Sequence, residues 1–152
     1  MTKIKLGGSV RAMREIFFYG LFMDEHRLRS AGYEPVVVGP AVLADYSLLI
    51  ESRATLAPQL DAREYGVLMG LPTEQASALY SEPSVTDYVP ERVTVTVLGT
   101  TALHDCWCYN LPETRMCSAP NAAYRAELSQ LLAQLAFPSE YVREVSGEST
   151  AT

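Results

Sequence analysis

The sequence predicts a single domain of the α+β class, on three observations. Stretches with strand character outnumber helical ones and do not alternate regularly with them, which favours α+β over a doubly wound sheet. Helical spacing gathers in the C-terminal third. The length of 152 residues is that of one domain, large enough to bury a core without a metal or disulfide staple.

Residues Met1 to Met13 hold Gly7, Gly8 and Ser9 among mixed charges with no sustained period. Residues 1–13 therefore read as a loose leader, 14–145 as the domain, and the small polar residues 146–152 as a disordered tail. The first strand is expected over about Glu15 to Tyr19. The stretch from Ile16 to Asp24 is the centre of the chain: an apolar, aromatic run meets Gly20, and an acidic residue then heads a helical pattern. Such a run reads as a buried strand, a tight loop and a helix start. Gly20 can take the positive φ of a sharp turn, and without a Cβ it lets backbone N–H groups approach a carboxylate or an oxyanion. The helix is expected from Asp24 as N-cap through Ala31, stopped by Gly32, with His26, Arg27 and Arg29 facing mostly solvent.

From Glu34 to Ser52 the apolar pattern has strand character, with Val36 to Val38, Ala41 to Leu43 and Tyr46 to Ile50 broken at Gly39 and Pro40, so one long bent strand or two are expected. Arg53 to Leu60 reads as a shorter strand or loop, and Glu64 to Leu71 as a clear strand whose Gly66 and Gly70 suggest close backbone approach or a bulge. Pro72, Thr73 and Glu74 open a helix to about Ser81. Asp87 to Pro90 reads as a turn, and Arg92 to Leu98 alternates as a half-buried strand. Thr101 to Leu111 is the last strand. A helix then starts at Pro120 or Asn121, with Ala122, Leu128, Leu131, Leu132 and Leu135 at helical spacing, and a short helix runs from Pro138 to about Val145.

Charge and composition exclude several function classes. Lys and Arg number 12 against 18 Asp and Glu, a net charge of −6 with no basic run, which argues against nucleic acid or an anionic membrane as partner. No apolar segment approaches the ~20 residues that span a bilayer, and the N-terminus lacks a signal-peptide core, so the cytoplasm is the expected compartment. Three cysteines fit reduced thiols better than a disulfide framework. His104, Cys106 and Cys108 share one face of a strand, as a soft metal would need, but a buried thiol row beside Trp107 is the commoner arrangement, and Cys117 has no place in a tetrahedral set. No metal is expected.

The order of these parts resembles the γ-glutamylcyclotransferase-like (AIG2-like) family over about Ile16 to Val145. Phe18-Tyr19-Gly20-Leu21-Phe22-Met23 is similar to the family's Tyr-Gly-Ser/Thr loop after the first strand. Tyr65-Gly66-Val67-Leu68-Met69 is similar to its Gly-x-Val-Tyr strand. Ala78 to Pro83, then Tyr88 and Arg92-Val93-Thr94-Val95, stand where the family has Leu-Asp-x-x-Glu-Gly, an aromatic and a strand. Cys108-Tyr109-Asn110, Ser118 to Tyr124 and Phe137-Pro138-Ser139-Glu140-Tyr141 resemble its closing pattern. Two departures stand out: Leu21 and Phe22 replace a small polar residue, and the glutamate motif has Tyr80 for Asp, Pro83 for Gly and one residue fewer between Leu79 and Glu82.

The resemblance implies a mixed, largely antiparallel β-barrel flanked by helices, with a pocket between the Tyr-Gly loop and the helix carrying the glutamate. It implies an enzyme that cyclises a γ-glutamyl amide or peptide to 5-oxoproline, without a cofactor, using Glu82 as general acid/base. Backbone N–H groups of Gly20, Leu21 and Phe22 would bind the glutamyl end, Tyr19 before them would share in substrate binding, and Tyr88, Tyr109 and Tyr124 would line the pocket. The expected partner is a small γ-glutamyl substrate or related carboxylate, the expected assembly a monomer or homodimer. Taken singly, Glu82 is an ordinary helix-end carboxylate and the tyrosines are ordinary core or rim aromatics. The alternative function is a non-catalytic protein of the same fold that binds a small molecule or peptide end.

Overall fold

A computed structural model describes residues 2–6, 9–50, 54–83, 85–111 and 122–146. Six strands, β1 (Thr2–Leu6), β2 (Ser9–Phe18), β3 (Val36–Ile50), β4 (Ala54–Pro72), β5 (Val89–Val97) and β6 (Leu103–Asn110), form one sheet in the order β1-β2-β4-β3-β5-β6. The helices are α1 (Glu25–Ser30), α2 (Thr73–Leu79), α3 (Ala122–Gln134) and α4 (Ser139–Ser146), with a 3-10 turn at Leu21–Met23. Neighbouring strands are antiparallel, but β2 also meets β6 in parallel at Ile16 and Trp107. The sheet thus curls back on itself, and the C-terminal ends of β2 and β6 lie side by side. This is the mixed α+β architecture the sequence predicts. Among the described residues no helix is long and apolar enough to cross a membrane.

Three elements differ from expectation. Thr2–Leu6 and Ser9–Phe18 pair from Thr2 with Met13 to Leu6 with Ser9, so the stretch expected as a loose leader is a strand and the first half of the next. Its sequence hides this because a two-stranded pair is held by backbone hydrogen bonds, and scattered charges carry no alternating pattern to reveal them. The separate segments expected at Arg53 to Leu60 and Glu64 to Leu71 are one strand, β4, bent in register with β3. Asp45 and Asp61 both take positive φ, 65° and 67°, and the Asp61 N–H donates to Asp45 Oδ1 at 3.0 Å. Aspartate tolerates the left-handed region better than most residues. Finally, β5 begins at Val89, inside the expected turn.

The core fills from Ile16 and Phe17 on β2 and Leu68, Met69 and Leu71 on β4, closed by Leu128 and Leu132 of α3 and by Tyr141 and Val145 of α4. Gly66 sits where β4 crosses β2: a Cβ there would lie 2.4 Å from the Phe18 carbonyl oxygen and 2.7 Å from Phe17 Cζ. Close approach, not backbone conformation, demands this glycine.

Candidate active site

β2 ends at Phe18, and the chain turns at once through Tyr19 and Gly20. Gly20 has φ −104°, so the positive φ expected of it is absent; the turn is made by the 3-10 segment, with Met23 N–H donating to the Gly20 carbonyl at 3.0 Å. The constraint on a side chain here is contact: a Cβ on Gly20 would stand 2.8 Å from the Tyr124 hydroxyl, the tip of a side chain that would have to shift. Asp24 then caps α1, its carboxylate accepting from the N–H groups of His26 at 3.0 Å and Arg27 at 3.4 Å.

A cavity of about 350 Å³ opens against this loop. Tyr19, Gly20, Leu21, Phe22, Glu82, Tyr88, Tyr109 and Tyr124, all named from the sequence, line this single cavity. Phe17, Phe18, Arg27, Tyr80 and Val85 complete its wall. Its size and largely aromatic lining suit a small molecule.

Each tyrosine is held by a different element. The Tyr19 hydroxyl, buried, donates to the Tyr109 carbonyl at 2.7 Å, tying β2 to β6. Burial, with the neighbouring Cys108 thiol next in effect, holds the Tyr19 phenol well above its ordinary pKa. The Tyr109 ring stacks on Tyr80 with centroids 3.7 Å apart and planes 5° from parallel, and its hydroxyl accepts from Arg14 Nη1 at 2.6 Å. Tyr88 donates to the Ala54 carbonyl, at the start of β4. Tyr124 reaches in from α3, and its hydroxyl accepts from the Leu21 backbone N–H. Burial pushes that phenol up to about 12, with the Leu21 hydrogen bond opposing.

Glu82 follows α2, where the chain leaves the helix in tight turns: Ser81 N–H donates to the Ala78 carbonyl at 3.2 Å and Glu82 N–H to the Leu79 carbonyl at 3.3 Å. The half-buried carboxylate accepts a 2.5 Å hydrogen bond at Oε2 from Tyr33. Burial, followed by that hydrogen bond, pushes the Tyr33 phenol up to about 12, so Tyr33 remains a donor across the neutral range. A carboxylate fixed by a hydrogen bond at the wall of a cavity is suited to moving a proton.

Sequence reasoning missed Tyr33, Arg14 and the cavity role of Arg27, and noted Tyr80 only as a departure from a motif. Tyr33 and Glu82 stand 49 positions apart, and nothing local to either advertises the contact. The thiols lie as the commoner arrangement has them: Cys106 and Cys108 are buried on β6, and burial raises both, Cys106 to about 12. His104 pairs instead with Glu15, Nδ1 to Oε1 at 2.9 Å. Cys117 lies outside the described residues.

Comparison with solved structures returns the same architecture. An uncharacterized protein from Homo sapiens superposes with TM-score 0.76 at 18% identity, covering 92% of this chain and 91% of that one. A structure described as a gamma-glutamyl cyclotransferase gives TM-score 0.74 at 16% identity, covering 93% of each chain. A yeast gamma-glutamyl cyclotransferase specific to glutathione gives 0.62 at 13% identity, covering 90% and 95%. At these identities the likeness shows the fold. The curated proteins contain no sequence match. The family model described as "Gamma-glutamyl cyclotransferase, AIG2-like" matches residues 16–130, the span from the core of β2 to the middle of α3 that builds the cavity, and the chain belongs to that family.

Proposed function

We propose that the protein is an enzyme that cyclises a γ-glutamyl amide or peptide to 5-oxoproline and releases an amine. The observation that carries this reading is the Glu82 carboxylate, oriented by Tyr33, in the same cavity as the Gly20 loop. Glu82 takes a proton from the substrate's α-ammonium, and the freed amine attacks the γ-carbonyl of the same molecule. The new C–N bond closes a five-membered ring and the old one breaks; Glu82 gives its proton to the departing amine, and the ring nitrogen sheds its second proton, taken up by the released amine or solvent, as it becomes an amide. Nucleophile and electrophile already share one molecule, so the protein has only to hold a folded rotamer and stabilise an oxyanion.

Tyr124, expected from the resemblance to line the pocket, has a further part in this reading through its contact with the loop. Leu21 and Phe22 carry no side-chain donor, and the Leu21 N–H is given to the Tyr124 hydroxyl. The Tyr124 hydroxyl thus reaches from α3 onto the loop at the cavity wall, where it can contact a ligand. Leu21 and Phe22 instead give the cavity an apolar side.

Release of 5-oxoproline from a mixed pool of γ-glutamyl dipeptides and amines, followed by mass spectrometry, tests the reading directly. Its absence with folded protein would leave a binding protein of the same fold. Two substitutions refine the test. Tyr33→Phe removes the donor to Glu82, and a hydrogen bond to a charged group is worth ~2 kcal/mol, so kcat is expected to fall about tenfold or more. Gly20→Ala places a methyl group 2.8 Å from the Tyr124 hydroxyl and drives that hydroxyl off the Leu21 N–H. KM is expected to rise about tenfold, the effect of losing one such contact; an unchanged KM would remove Tyr124 from the binding role.

A further inference from the structure

Arg27 is the one cation, and Glu82 the one anion, among the described residues that line the cavity. The rest of the wall is aromatic, aliphatic or glycine. Arg27 stands in the first turn of α1, immediately beyond the loop, with its side chain 45% exposed, which places it at the mouth. Its Nη2 pairs with Glu127 Oε2 at 2.6 Å, and Glu127 lies three positions after Tyr124 on α3. The phenol of Tyr124 feels both charges, Glu127 raising and Arg27 lowering its pKa.

An ion pair this exposed contributes little to stability, so rearranging it costs little. A guanidinium carries five donors in a planar fork, more than one carboxylate uses. Arg27 can therefore keep Glu127 and still take a second carboxylate from the cavity side. The direction of the reaction says which carboxylate. The glutamyl end must sit where Glu82 and the loop converge, and the amine that departs must face the mouth to leave.

We propose that Arg27 is a specificity-determining residue that selects substrates whose departing amine itself bears a carboxylate. That substrate class is the γ-glutamyl α-amino acids, in preference to γ-glutamyl alkylamines. The inference rests on the cyclisation reading for its direction, but the selectivity itself can be read from binding alone.

The test compares γ-glutamyl-leucine with γ-glutamyl-isopentylamine, which differs only by the missing carboxylate. Both kcat/KM and the calorimetric Kd are measured at low salt for the natural protein, Arg27→Met, Arg27→Lys and Glu127→Gln. The natural protein is expected to favour the dipeptide about fivefold, through KM and Kd, as suits one partly exposed charge pair. Arg27→Met should bring the ratio close to one and Arg27→Lys restore part of it. Glu127→Gln breaks the same helix–helix pair while leaving the cation, and should keep or raise the ratio. Added salt should shrink it. A natural ratio near one overturns the proposal. So does a Glu127→Gln protein that loses the ratio as Arg27→Met does, since the effect would then belong to the helix contact. If neither compound is cyclised, the cyclisation reading fails while the Kd ratio still decides the role of Arg27; if neither binds, both fail.

Discussion

Replacing Glu82 with glutamine is expected to lower the rate of 5-oxoproline formation by a factor of about 10²–10⁴, the usual worth of a positioned acid/base. The amide has nearly the shape of the carboxylate, and its oxygen can still accept the hydrogen bond that Tyr33 makes to Oε2. What it cannot do is take the proton of the substrate's ammonium and return it to the departing amine. The loss should therefore fall mainly on kcat. Steady-state kinetics on one γ-glutamyl dipeptide, with circular dichroism to show an unaltered fold, makes the measurement. Turnover within a few-fold of the natural protein would mean that Glu82 moves no proton and that the cavity, if catalytic, works by another group.

The largest effect on stability is expected at Gly66. An alanine there would put its Cβ 2.4 Å from the Phe18 carbonyl oxygen, and Phe18 is fixed by its pairing with Val67 in the β2–β4 ladder. The Phe17 ring is no easier to move, since Phe17 is 1% exposed and packed on every side. Either the ladder separates or the core rearranges. Overpacking of a close-packed interior costs about 1–3 kcal/mol, and a contact against backbone belongs at or above the upper end. For a domain of this size the melting temperature should fall by about 6–12 °C. A Gly66→Ala protein melting within about two degrees of the natural one would show that β2 and β4 have slack that their spacing does not suggest. Because Phe18 leads into the Gly20 loop, lowered activity should accompany the lowered stability.

The sequence made this fold and cavity legible where the signal is local. Gly66 read as a point of close approach or a bulge, Asp24 as a cap, Gly32 as a stop and the Gly20 corner as the place where a strand gives way to a helix. In each case a few neighbouring residues carry the whole physical reason. Tyr19 to Phe22, Glu82, Tyr88, Tyr109 and Tyr124, which line the cavity, were reached through the order of motifs along the chain. What could not be read was whatever depends on two distant residues meeting. Asp45 and Asp61 look like ordinary loop acids until the register of β3 and β4 sets them side by side at a bend. Tyr80 looked like a flaw in a motif, and in the folded protein its ring is the platform on which Tyr109 lies. Gly20 was correctly singled out as a corner, but what crowds a side chain there is a tyrosine on a helix more than a hundred residues later rather than its own dihedrals.

The closure of the sheet by β2 against β6 also bears on how the chain reaches its native state. Tyr19 and Tyr109, which face each other across that closure, are 90 residues apart, whereas the β3–β4 ribbon joins segments adjacent in sequence. Bringing distant ends together costs chain entropy before any contact rewards it, and such contacts are the slow part of folding. The ribbon can therefore zip early, giving a chain rich in strand with no floor to its cavity. Ligand binding, which needs both ends at once, is then a property only of the completed molecule, and any ligand of this cavity acts as a clasp on the last seam to close.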